Sequence, residues 1–254
     1  NCDEEALLGV SLTGCADHKI LNGYRKSAVM QDETIKWLET LKSLAVSCNA
    51  KVAKKLGIKP AAAVTCVKPS GTVSQLCDTA SGIHPRFSEY YIRRVRGDVK
   101  DPLTEFMQKI GIPTEPDVAN KENMVFSFPM KAPDKSIVVK EVNAVEQLKI
   151  WQLYNDHYTE HKPSVTIYYS EEEFPEVCAY VWKHFDSMSG ISFLPRSDHT
   201  YTQAPYEEID KDTYKKLKAE MPKNIDWKQL AEFETGDNTT VQPELACTAG
   251  ACEL

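Results

Sequence analysis

The sequence predicts an α/β architecture, and three observations carry that prediction. Segments of helical period and strand-like segments alternate along most of the 254 residues. The run "AAAVTCV" (61–67) is almost continuously apolar, as strands covered on both faces of a parallel sheet are. The chain is 42% hydrophobic, enough for the core of one large domain or two small ones.

Each element has a local reason. "LLGVSLT" (7–13) reads as a short strand closed by Gly14. Asp32 can cap a helix over 33–56 whose apolar face is Ile35, Leu38, Leu41, Ala45, Cys48, Val52 and Leu56. Gly57 and Pro60 stop it. After the strand 61–67 comes "KPSGTVSQL", then a strand "YYIRRVR" (90–96) whose Arg93, Arg94 and Arg96 read either as ligand contacts or, more simply, as a solvated face. Asp101 and Pro102 open a short helix over 101–112. "NMVFSFPM" (123–130) is a strand, and Asn143 with Glu146 forms a capping box for a helix reaching His161. "SVTIYYS" (164–170) is a strand, a helix follows through "EVCAYVWKHFDSM", and "GISFLPR" (190–196) is extended. Helical patterns lie at 211–220 and 226–233. Trp37, Trp151 and Trp182 fall on helical apolar faces and are expected in the core. Residues 1–234 carry these elements, and 235–254, rich in turn formers, are expected to form a mobile tail.

Charge and composition narrow the partners. A net charge of −7 argues against nonspecific binding to nucleic acid or to an anionic membrane. No run of about 18 apolar residues exists, so no transmembrane helix is expected. No charged-then-apolar leader opens the chain, and no Met begins it, so it reads as a fragment, a processed product or one piece of a split polypeptide. Of the eight cysteines, Cys48 and Cys178 sit in helical patterns and read as small buried hydrophobes. No CxxC pair or zinc spacing appears, no metal site is expected, and a reducing, cytoplasmic setting is the default.

Two stretches invite chemistry. In "KPSGTVSQL" a buried strand ends and reopens through Pro69, Ser70, Gly71, Thr72, Val73 and Ser74. Small residues let an anion approach backbone N–H groups, hydroxyls add donors, and Lys68 stands nearby. The same residues also suit a plain turn or helix cap. GxxxxGK[ST] is absent, which argues against a P-loop nucleotide triphosphatase. The second stretch is "CTAGAC", which sets Cys247 and Cys252 five positions apart with a glycine between. They read either as two unpaired thiols or as a redox pair.

"KPSGTVSQL" followed by "SGIHPRFSEYYIRRVR", with "DEEALLGVSLTG" before and "YTQAPYEEI" after, resembles the adenosylcobalamin-dependent (class II) ribonucleotide reductases, in particular their monomeric ribonucleoside-triphosphate reductase branch. The resemblance runs through essentially the whole chain, in order. It implies the C-terminal part of a ten-stranded α/β barrel with a mobile tail. It implies that Pro69 to Ser74 hold the phosphates of a ribonucleoside triphosphate, and that Cys247 and Cys252 shuttle electrons from thioredoxin or a similar dithiol donor. It further implies a cofactor face for adenosylcobalamin drawing on Ser81, Gly82, Ile83, His84, Arg86, Tyr201, Gln203 and Tyr206, with His84 in a hydrogen-bonding or packing role rather than on cobalt.

The family's Asn-Pro-Cys-x-Glu radical motif is absent: "NCDEE" and "TGCAD" do not match it. The resemblance therefore implies a partner, an N-terminal part of the reductase carrying the radical cysteine, without which this chain is inactive. Two other readings stay open. One is a fragment of a class I large subunit. The other is a noncatalytic docking half of a split reductase.

Overall fold

The computed structural model describes residues 2–22, 27–196 and 202–234, together with the backbone of Cys247–Thr248 and Ala251–Cys252. In chain order the elements are α1 (Cys2–Glu5), β1 (Val10–Ser11), α2 (Ala28–Leu56), β2 (Thr65–Cys66), α3 (Val73–Leu76) and β3 (Tyr90–Asp98). There follow α4 (Pro102–Lys109), β4 (Thr114–Pro116), β5 (Asn123–Lys131), α5 (Ala144–His157), β6 (Val165–Tyr169), α6 (Phe174–His184) and β7 (Ile191–Pro195). The last are β8 (Tyr206–Glu208), α7 (Lys211–Glu220), β9 (Cys247–Thr248) and β10 (Ala251–Cys252). Helix and strand alternate as expected. The chain divides into two compact units, one mainly Asn1–Arg86 with Pro133–Arg196, the other mainly Phe87–Ala132 with Ser197–Glu253.

The first unit holds two parallel strand pairs. β1 pairs β2 with Val10 opposite Thr65 and Ser11 opposite Cys66. Flanking bonds from Leu8 N to the Ala63 carbonyl (3.1 Å) and from Leu12 N to the Cys66 carbonyl (3.4 Å) extend the contact beyond the formal strands. β6 pairs β7 from Val165–Ile191 to Tyr169–Pro195. Against these strands lies α5, which begins at the expected capping box: Asn143 Oδ1 accepts the Glu146 amide at 2.8 Å, and Glu146 accepts the Asn143 amide at 3.1 Å. Its Leu148, Trp151 and Tyr154 are fully buried with Leu38 of α2 and Ile167 of β6. Each such side chain stabilises the fold by roughly 1.5–3 kcal/mol through removal of apolar surface from water. The Gln147 amide donates to the Tyr168 carbonyl at 2.9 Å and accepts the Tyr168 amide at 3.1 Å, locking α5 to β6.

α2 starts five residues before the expected Glu33, because Ser27 rather than Asp32 caps it, accepting the Met30 amide at 3.2 Å. It ends at Gly57 in the left-handed conformation, as expected. Its apolar stripe is covered only in part: Leu38 is buried, whereas Cys48, Val52 and Leu56 are exposed. Cys178 is also exposed, which corrects the expectation for both thiols. Of the three tryptophans expected in the core, Trp151 is there, Trp37 is 43% exposed and Trp182 is 86% exposed. Periodicity marks an apolar face; whether another element covers it is a tertiary matter.

The second unit is antiparallel, which helix–strand alternation did not foretell. Its sheet has the order β4-β5-β3-β8, and β3 pairs β5 over its full length, from Tyr90–Lys131 to Asp98–Asn123. α4 is capped as expected by Asp101, which accepts the Leu103 amide at 2.8 Å with Pro102 in the first turn. Phe106 of α4 is fully buried and packs on Trp227 and Phe233 at ring distances of 5.6 and 5.7 Å. The arginines of β3 are not a solvated face. Arg94 pairs with Glu207 at 2.5 Å and Arg96 with Asp117 at 2.9 Å, with only 12% and 15% of the arginine side chains exposed.

Candidate functional site

β2 delivers the chain to the loop beyond its carboxyl end, the side of a parallel sheet where ligands settle. Ser70 takes a left-handed backbone, φ +48°. The chain then passes Gly71 and Thr72 into α3, a single turn with no side-chain cap. One turn carries little macrodipole, so any anion here is met by individual N–H groups rather than by a helix end. Ser74 donates its amide to the Ser70 carbonyl at 3.0 Å and Gln75 donates to Thr72 at 3.1 Å. Among the described residues, the amides of Ser70, Thr72 and Val73 have no protein acceptor. Thr72 and Val73 are exposed, Pro69, Ser70 and Gly71 half-buried, and Lys68 exposed beside them.

Ser74 faces the other way. It is fully buried, and its hydroxyl lies 3.1 Å from that of Ser81 and accepts from Gln75 Nε2 at 3.2 Å. It braces the loop from beneath. Ser81 in turn opens the tight turn of Gly82, where φ is +53° and a Cβ would stand 2.5 Å from the Lys68 carbonyl oxygen. Gly82 thus packs directly on the backbone that leads into the Ser70 loop.

Arg86 is 3% exposed. Its Nε and Nη2 donate to the Asp17 carboxylate at 2.9–3.1 Å, and its Nη1 and Nη2 reach the Asp78 carboxylate and carbonyl at 3.3 and 2.5 Å. Asp17 also accepts the Ala80 amide at 2.7 Å. This buried guanidinium is neutralised inside the protein and ties residues 17, 78 and 80 together. His84 is equally committed. Its Nδ1 lies 2.9 Å from the Ser81 carbonyl, and its Nε2 accepts the Thr166 amide at 3.0 Å. Burial pushes its pKa down to about 4, against the smaller opposing effect of the Ser81 carbonyl. The ring is therefore neutral, with its proton on Nδ1, and neither nitrogen is open to a metal. Among the described residues, no three His, Cys, Asp or Glu side chains cluster in a way that could hold a metal ion.

In the second unit Gln203 is 6% exposed and left-handed, φ +61°. Its side chain accepts the Val118 amide at 2.9 Å and donates to the Pro116 carbonyl at 2.8 Å, so both ends are occupied. Asp117, beside it, is disfavoured as a charge by burial, yet its carboxyl is held below the usual range by the Ala119 amide and Arg96. Tyr206 stacks on Phe87 with ring centroids 5.3 Å apart, and Arg93 lies over its ring at 5.1 Å and bonds its hydroxyl. Tyr201 lies outside the described residues. The backbone of β9 and β10 pairs antiparallel with Cys252 opposite Cys247, while the two side chains lie outside the described residues.

Sequence reasoning missed Thr13, which bonds Ser70 from 57 positions away, and Asp17, which bonds Arg86 from 69. Both stand in "LTGCAD", where nothing in residue type or spacing marks them.

No family model matches the chain. It is similar to adenosylcobalamin-dependent ribonucleoside-triphosphate reductases from Lactobacillus acidophilus (24% identical) and Lactobacillus leichmannii (26% identical), in each case over 97% of this chain and 36% of the relative. A probable enzyme of the same name from Dictyostelium discoideum is 28% identical over 97% of this chain and 32% of its own length. The chain thus spans about a third of the length of the curated relatives it matches. Among solved structures, that of a B-12 dependent (class II) ribonucleotide reductase superposes with a TM-score of 0.76 at 24% identity, covering 91% of this chain and 35% of that one. The two share a fold over that region.

Proposed function

We propose that this chain, a relative of the adenosylcobalamin-dependent ribonucleoside-triphosphate reductases along nearly its whole length, supplies three parts of such an enzyme. They are the loop that holds the substrate's phosphates, part of the cofactor wall, and a dithiol that returns electrons. The observation that carries the reading is the run of amides at Ser70, Thr72 and Val73 that have no protein acceptor, at the carboxyl end of a parallel strand and beside Lys68. Phosphate oxygens accept such N–H groups, and a fixed backbone cradle grips them without reorganisation. Pro69 and Gly71 shape the loop and Ser74 supports it from below.

Adenosylcobalamin, when bound, supplies the organic radical that starts ribonucleotide reduction. His84, Arg86 and Gln203 do not fit direct contact with it, since their polar atoms are occupied within the protein. In the first unit His84 and Arg86 brace the turn of Ser81 to Ile83; in the second, Gln203 braces the segment leading to Tyr206, and Tyr201 is assigned a cofactor role with it. Cys247 and Cys252 act as carriers. One thiolate attacks an active-site disulfide contributed by the N-terminal part of the reductase, forming a mixed disulfide and expelling one active-site thiolate; the second then attacks its partner's sulfur in the mixed disulfide and expels the other. Two electrons pass, a Cys247–Cys252 disulfide results, and thioredoxin or a similar dithiol reduces it.

In the complete reductase, the double variant Lys68→Gln, Thr72→Val is expected to raise KM for a ribonucleoside triphosphate about tenfold with kcat little changed, the effect of losing one or two charge-assisted contacts. An unchanged KM, together with a parent enzyme that inorganic tripolyphosphate does not inhibit, would remove the phosphate reading. Serine at positions 247 and 252 is expected to abolish turnover driven by thioredoxin while sparing turnover with dithiothreitol, which reaches the active site unaided. Equal loss with both reductants would remove the carrier role.

A further inference from the structure

We propose that Thr13 is the positioning residue that sets the anion-binding conformation of the Ser70 loop. The inference rests on the phosphate reading above and adds to it the group that keeps the loop in shape.

Thr13 follows β1 and is half-buried. Its hydroxyl makes three contacts, each at 3.0 Å: to the Ala80 carbonyl, the Gly82 amide and the Ser70 hydroxyl. A hydroxyl has one proton and two lone pairs. The Ala80 carbonyl can only accept, so it takes the proton. The Gly82 amide can only donate, so it takes a lone pair. The contact with Ser70 must then be donated by Ser70 to the remaining lone pair. All three positions of the Thr13 hydroxyl are filled, and the direction of the third bond follows from the other two.

Two consequences follow for the loop. The Ser70 proton points inward, so the Ser70 hydroxyl is not a donor to an anion, and the loop grips with backbone N–H groups instead. Ser70 also holds a left-handed backbone, φ +48°, which a non-glycine residue adopts only where its surroundings enforce it. The bond to Thr13 is such an enforcement. The same hydroxyl clamps the turn at Gly82, which packs against the Lys68 carbonyl just upstream of the loop. Thr13 therefore joins the exit of β1, the loop after β2 and the turn of residues 80–82 at one atom.

The test uses the complete reductase and inorganic tripolyphosphate as a competitor of the ribonucleoside triphosphate. Thr13→Val keeps the shape and removes the hydroxyl; it is expected to weaken tripolyphosphate tenfold or more and to raise KM while leaving kcat within about twofold. Thr13→Ser keeps the hydroxyl and is expected to stay within twofold of the parent in both. Adding Ser70→Gly to Thr13→Val gives the loop a residue that accepts positive φ unaided, and should recover a good part of the lost affinity, which a general loss of stability would not allow. Should Thr13→Val fail to fold, Ser70→Ala carries the test, since it leaves both backbone bonds of Thr13 in place and is expected to weaken tripolyphosphate severalfold. Parent-like affinity in Thr13→Val, or in Ser70→Ala if that variant is used, overturns the role of Thr13 alone. A parent enzyme that tripolyphosphate does not inhibit overturns the phosphate reading, and the role of Thr13 with it.

Discussion

His84 Nε2 accepts the backbone amide of Thr166 at 3.0 Å, joining residues 82 positions apart. The bond fastens the turn beside the Ser70 loop to β6, the strand against which α5 packs. It requires a neutral imidazole, because a protonated Nε2 would face an N–H group with a proton of its own.

That requirement predicts a pH dependence. In the unfolded chain the imidazole takes up its proton as pH falls through about 6.5, whereas in the fold it resists until about 4. The unfolded state binds more protons throughout that window, so stability rises with pH there. The contribution is complete above pH 6.5 and is lost progressively as pH falls towards 4, by on the order of 3 kcal/mol at about 1.4 kcal/mol per unit. Denaturant midpoints measured from pH 7 to 4.5 should fall more steeply for the parent than for His84→Gln. Parallel curves would mean that His84 is not buried as a neutral ring.

Gly82 and Gly57 both have positive φ, +53° and +69°, but differ in what surrounds them. A methyl group at Gly57 meets nothing within 4 Å, so Gly57→Ala should cost only the backbone strain, about 1 kcal/mol. At Gly82 the methyl would stand 2.5 Å from the Lys68 carbonyl oxygen, and backbone must move. Gly82→Ala should therefore cost several kcal/mol by urea denaturation, on top of any effect on the loop. Equal losses at the two sites would show that the turn has room to yield.

Trp151 and Trp182 make the same contrast for side chains. Trp151 is fully buried, and its indole N–H donates to the Pro163 carbonyl at 2.9 Å. Trp151→Ala should cost roughly 3–5 kcal/mol. Trp182 is 86% exposed, and Trp182→Ala should change stability by no more than about 0.5 kcal/mol. Iodide quenching of tryptophan emission should drop in Trp182→Ala. Comparable destabilisation by the two variants would place Trp182 in a packed environment.

Much of the framework was legible in residue order. Asp101 with Pro102, Asn143 with Glu146, and Gly57 set element ends through bonds between residues no more than a few positions apart. The start of α2 was misread for the same local reason, since Ser27 and Asp32 are both competent caps and only one is used. The antiparallel sheet of the second unit was not foreseen, because alternation of apolar residues marks a strand without naming its neighbour. At the site, small and hydroxylated residues pointed to the Ser70 loop, but not to the inward turn of Ser74 or to the buried pairing of Arg86 with Asp17.

Sequence alone determined the caps at Asp101 and Asn143, the stop at Gly57, and which segments are apolar enough to be strands, because each depends on neighbours along the chain. Tertiary structure alone decided which apolar faces are covered, which polar tips are already occupied, and which distant hydroxyl steadies the loop. Those outcomes depend on contacts such as Thr13 with Ser70 and His84 with Thr166, and residues so far apart in the chain constrain each other only after the core has brought them together.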